Sequence, residues 1–134
     1  MADTVPAVTG LYAGILALIL LAIAAWVGRR RIVTGIGVGD GGDDELRRRM
    51  RVNANFVEYV PLALVLMMLL ELTGAAGWFL HALGTVLVLS RLIHVPGVGP
   101  LEGRRRGFRI VGTFGTWAVL ATAGLVLIGR FVPI

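Results

Sequence analysis

Four apolar runs, residues 9–27, 56–72, 75–95 and 108–128, divide this chain, and each approaches the ~20 residues that a hydrocarbon core of about 30 Å requires. Runs of that length read as membrane-spanning helices, because inside lipid a segment has to satisfy its own backbone hydrogen bonds. With 57 % hydrophobic residues in 134 and a mean hydropathy of +0.84, little sequence remains for a soluble domain. The expected fold is all-α: a single domain over residues 1–134, built as an integral membrane four-helix bundle. The first run lacks a basic segment before it and ends in arginines, so it reads as a retained anchor helix rather than a cleaved leader.

Charge fixes the expected orientation. Every basic side chain other than histidine is arginine, 13 in all, and the arginines are clustered. Arg29, Arg30, Arg31, Arg47, Arg48, Arg49 and Arg51 fall in the first connection, Arg104, Arg105, Arg106 and Arg109 in the third, and Arg91 near the same end of the third span; only Arg130 lies at the other end. The positive-inside bias then places both connections in the cytoplasm and both termini on the far side of an inner membrane. A basic balance of this kind speaks for membrane orientation and not for nucleic acid. The chain has no cysteine, which excludes disulfides, thiolate metal sites and a cysteine nucleophile, and no metal is expected. Any thiol chemistry has to draw its sulfur from a substrate.

Gly35 to Gly42 is glycine-rich, but no strand precedes it, so it reads as a linker and not a nucleotide loop. Asp43, Asp44 and Glu45 supply an N-cap and an acidic first turn, so the second helix is expected to begin near Asp43 and to run about 45 Å to Leu72, longer than the membrane. The tight Leu72 to Gly77 turn makes the second and third helices an antiparallel hairpin. Gly112, Gly115 and Thr116 suit close packing of the fourth helix. Trp26 and Trp78 fall near opposite interfaces, and Trp117 reads as core or lipid-facing.

The chemistry concentrates on the second helix. Arg51, Asn55, Glu58 and Tyr59 recur at helical spacing and form one stripe, and Pro61 is expected to kink the helix beside them. Ionisable groups in a membrane helix are costly unless paired or facing a wet cavity, which makes Glu58 a site candidate. Arg91 and His94, three apart on the third helix, lie at the same membrane depth, and the next loop leads to Arg104, Arg105 and Arg106. Taken singly, each of these groups fits a structural ion pair or a lipid contact. The convergent set favours a binding site between helices. His81, at the opposite end of the third helix, has no ionisable partner within sequence reach and reads as interfacial.

The segment Arg51-x-Asn53-x-Asn55-x-x-Glu58-Tyr59-x-Pro61 resembles the signature of the MAPEG family, the membrane-associated proteins in eicosanoid and glutathione metabolism. Glu71-Leu72-x-Gly74, Arg91-x-x-His94 and the Gly39 to Gly42 stretch extend the resemblance over nearly the whole chain. It implies a homotrimer of four-helix protomers that binds glutathione as co-substrate between subunits near the cytoplasmic face. By that pattern Arg51 and Asn55 hold carboxylate or backbone groups, Glu58 the ammonium group, and Tyr59 a further hydrogen bond. Arg30 or Arg31, Arg91, His94 and Arg104 complete the binding set, and one arginine of the Arg104–Arg105–Arg106 run, Arg105 by its spacing, stabilises the thiolate that attacks a lipophilic small molecule entering from the membrane lipid. The chain departs from the pattern in having His94 and Val98 where catalytically proficient members often have tyrosines. That departure leaves a non-catalytic lipid-binding or scaffold role as the alternative. A small multidrug transporter fits less well, because the first span has no carboxylate.

Overall fold

A computed structural model describes residues 5–98 and 102–132, without the side chains of 97–98 and 102–106. The described residues form four α-helices, α1 (Ala7–Thr34), α2 (Asp44–Leu72), α3 (Gly77–His94) and α4 (Glu102–Phe131), with a 3-10 turn at Val95–Val98, and contain no strand. All four are long and apolar enough to cross a membrane.

The ends of these helices follow from local chemistry. α1 continues through Arg29, Arg30 and Arg31 until Gly35 adopts a left-handed conformation at φ 70°. α2 begins where the acidic residues predict: Asp43 caps it by accepting from the Leu46 amide at 2.6 Å. Its other end closes in a Schellman motif, with Gly74 at φ 80°, the Gly74 amide donating to the Glu71 carbonyl and the Ala75 amide to that of Leu70. That turn reverses the chain within five residues and makes the α2–α3 hairpin. α2 runs through Pro61 without interruption, and an apolar cavity of about 200 Å³ lies beside it between α1 and α2.

One face of each helix supplies the core. Phe56, Val60, Ala63, Met67 and Leu70 of α2 are buried at alternating spacings of four and three, as are Thr116, Val119 and Ala123 of α4. They meet Leu80, Leu83 and Leu87 of α3 and Leu16 of α1. The outward faces are apolar too: Leu18, Leu21 and Leu125 are each about two-thirds exposed. A soluble bundle would place polar groups there, and a bilayer accepts these side chains without cost.

α3 and α4 pack closely where glycine allows it. A Cβ at Gly112 would lie 2.6 Å from the Ser90 carbonyl oxygen, and one at Gly115 would lie 2.1 Å from Ser90 Oγ. The small residues that point to close packing in the sequence therefore have α3 as their neighbour.

Candidate functional site

A cavity of about 350 Å³ opens at the arginine-rich end of the bundle, within the size range of small-molecule pockets, roughly 300–1,000 Å³. α2 contributes Arg51, Asn55 and Tyr59, α3 contributes His94, and α4 contributes Arg109, Ile110, Thr113, Phe114 and Trp117. The three α2 residues follow the i, i+4, i+8 register, so the predicted stripe forms one wall. Glu58 does not line the cavity. It stands exposed beside it, with its carboxylate 3.6 Å from Arg51 Nη1, a loose pair between two solvent-accessible side chains.

Arg91 lies behind that wall. It is only 2 % exposed, and Nη1 donates to Asn55 Oδ1 at 2.7 Å while Nη2 donates to the Gly112 carbonyl at 2.8 Å and to Thr116 Oγ1. One guanidinium thus joins α3 to both α2 and α4 and fixes the Asn55 amide that faces the cavity. Its Nε has no acceptor and no carboxylate pairs with it among the described residues, so its positive charge is balanced only by neutral acceptors. With Arg51 and Arg109 on the walls and Arg91 behind Asn55, the cavity is an anion-attracting volume. His94 is buried at its edge, with Nδ1 at a long 3.5 Å from Thr113 Oγ1.

The other predicted site residues lie elsewhere or outside the described set. Arg30 lines a different cavity, where its Nε and Nη2 donate to the two oxygens of Asp43 at 3.1 and 2.7 Å. That guanidinium, with the Leu46 amide, holds the Asp43 carboxyl below the usual carboxylate range. Arg31 donates to the carbonyls of Ile36, Gly37 and Gly39, and so closes the glycine-rich connection onto α1. The side chains of Arg104, Arg105 and Arg106 fall outside the described residues, as does that of Val98.

Sequence reasoning missed the α4 wall. Arg109, Ile110, Thr113, Phe114 and Trp117 repeat at three- and four-residue steps, which is a readable signal, but only Thr113 and Arg109 are polar. An aromatic stripe in an apolar span looks like any lipid-facing surface. Phe114 and Trp117 meet edge to face at 5.3 Å and make half of the cavity apolar.

Four membrane-capable helices, three of which line a cationic, partly aromatic cavity, define a polytopic membrane protein of the small four-span class. Within that class the family is shown by comparison: the MAPEG family model matches residues 9–129, and the chain belongs to the MAPEG family. It is also 39 % identical over 113 residues to the inner membrane protein YecN of Escherichia coli strain K12 and to its counterpart in strain CFT073, covering 84 % of each chain.

Proposed function

We propose that this protein binds glutathione in the cavity between α2, α3 and α4, and uses its thiolate against a lipophilic electrophile. The observation that carries the reading is the cavity's two-sided chemistry. Arg51, Arg109, Asn55 and Tyr59 suit the carboxylates and peptide groups of a small anionic peptide, and Ile110, Phe114 and Trp117 suit an apolar second substrate arriving from the bilayer. Glu58, exposed at the rim, is available to the peptide's ammonium group. A guanidinium near the sulfur lowers a thiol pKa from about 8.5 and raises the nucleophilic fraction at neutral pH; Arg105 has this role in the family pattern. The thiol loses its proton to water, the thiolate sulfur forms a bond to the electrophilic carbon, and the bond broken there is either that to a leaving group, which departs as an anion with the electron pair, or the π bond of an activated alkene, whose neighbouring carbon then takes up a proton.

The cavity is open on one side, which supports a homotrimer in which a neighbouring subunit completes the site. Titration of glutathione into detergent-purified protein, followed by thiolate absorbance in the ultraviolet, tests the reading. Saturable binding is expected, weakened roughly tenfold in Glu58→Ala and in Arg109→Ala, with the thiolate signal lost in Arg105→Ala. Binding without any thiolate at neutral pH selects the non-catalytic alternative, and absence of binding removes glutathione from the proposal.

A further inference from the structure

At the same end of the bundle, a second cavity of about 280 Å³ is lined by Trp26, Arg29, Arg30, Val33 and Arg49, none of which lines the first. Two of its guanidiniums are fixed by the protein itself. Arg30 is held by Asp43, and Arg49 by Glu45 at 2.8 Å and by the Trp26 carbonyl at 2.7 Å, with its guanidinium carbon 4.6 Å from the centre of the Trp26 ring. Anchoring leaves donors unused: Nη1 of Arg30 and Nη2 of Arg49 make no hydrogen bond among the described residues. Arg29 makes none at all there, and its side chain is exposed.

Three guanidiniums therefore meet two carboxylates, and Glu45 is shared with Arg48 at 2.9 Å. At least one positive charge is left uncompensated. The site is also placed at a particular depth. Trp26 and Arg29 stand where the apolar run of α1 gives way to arginine, which is the level of lipid phosphates, and the exposed apolar side chains of Leu18 and Leu21 continue along α1 towards the bilayer centre.

We infer that the Trp26–Arg29–Arg30–Arg49 cavity binds the phosphate of an anionic phospholipid, with the acyl chains laid along the outer face of α1. Basic pockets beside membrane helices recognise such headgroups because preoriented N–H donors and excess charge act together at a surface already rich in lipid phosphate. A zwitterionic headgroup carries its own ammonium and gains less. A soluble anion has the charge but cannot use the apolar face. The inference is independent of the glutathione reading, and it gives Arg30 a role other than the peptide contact expected from the resemblance.

The test uses purified protein in a neutral detergent, titrated with short-chain phosphatidylglycerol, phosphatidylcholine of the same chains, or inorganic phosphate, and followed by thermal unfolding and native mass spectrometry. Phosphatidylglycerol is expected to stabilise saturably and to remain bound, at least about tenfold more tightly than the other two. Arg29→Gln, which removes a side chain with no protein partner, is expected to weaken that binding about fivefold, with most of it kept in Arg29→Lys. Arg47→Gln, which removes the same charge from an exposed side chain outside the cavity, leaves it unchanged. Equal losses in Arg29→Gln and Arg47→Gln would reduce the effect to diffuse surface charge. Equal potency of inorganic phosphate would make this a soluble-anion site, and indifference to phosphatidylglycerol would leave no lipid site; each of these results overturns the inference.

Discussion

Glu71 shows how a carboxylate in a membrane helix can be fully engaged without any ligand. Pro6 precedes α1 and offers no side-chain cap, so the first amides of that helix need acceptors from elsewhere. The Val8 and Thr9 amides donate to Glu71 Oε1 and Oε2 at 2.8 and 2.7 Å, which places a negative charge at the positive end of the α1 dipole. Glu71→Ala is expected to destabilise the protein by about 1–2 kcal/mol, and Glu71→Gln by about half as much, since the amide keeps one acceptor and loses the charge. Denaturation in mixed detergent micelles measures both, and equal stability of wild type and Glu71→Ala would refute the capping role. The contact was not legible in the sequence, because its partners lie more than sixty residues apart and no periodicity links them. His81 teaches the same lesson. No ionisable group lies near it in sequence, yet in space the Tyr12 hydroxyl sits 3.1 Å from its Nδ1 and 2.9 Å from Thr85 Oγ1.

Between elements, the closest approaches are set by glycines that face a neighbouring helix, and only those should resist enlargement. At Gly112 a methyl group would press on the Ser90 carbonyl and on His94, both part of the α3 backbone region that positions Arg91. Gly124, on the same helix, has open space around its Cβ position. Gly112→Ala is therefore expected to cost about 1–3 kcal/mol of stability through overpacking. Gly124→Ala is expected to be neutral or favourable by up to about 1 kcal/mol, from helix propensity alone. Comparable effects at the two positions would show that α3 and α4 do not meet as described. The helices themselves were largely legible: hydropathy located four spans, and Asp43 marked the start of α2. The apolar run of α1 stops before Arg29, while its helical geometry persists to Thr34 and carries the three arginines beyond the span. Half of the candidate site was also legible, because Arg51, Asn55 and Tyr59 keep a polar helical register. The α4 wall was not, because its side chains are mostly apolar and gain meaning only from what they face.

For the whole molecule, the distribution of arginine should decide how the bundle sits in the membrane. Residues 29–51, the end of α1, the start of α2 and the loop between them, carry seven arginines against four acids, and the ion pairs Arg30–Asp43, Arg47–Asp40 and Arg49–Glu45 hold this stretch as a compact cap on that end of the bundle. The opposite end has Arg130, which donates to the Thr73 carbonyl and, at 3.0 Å, to Thr73 Oγ1, and so binds the end of α4 to the α2–α3 turn. Moving the arginine-rich connection across the bilayer would oppose the positive-inside bias, so this end is expected in the cytoplasm. The absence of cysteine makes that expectation directly measurable. Val38, 93 % exposed at the tip of the first connection, and Val132, 53 % exposed just beyond α4, are sites where a thiol disturbs little packing. In intact spheroplasts a membrane-impermeant maleimide is expected to label Val132→Cys and to spare Val38→Cys until the membrane is permeabilised. The reverse pattern would invert the orientation and would place the cationic cavity on the side of the membrane away from cytoplasmic glutathione, so this labelling experiment bears on the proposed chemistry as well as on topology.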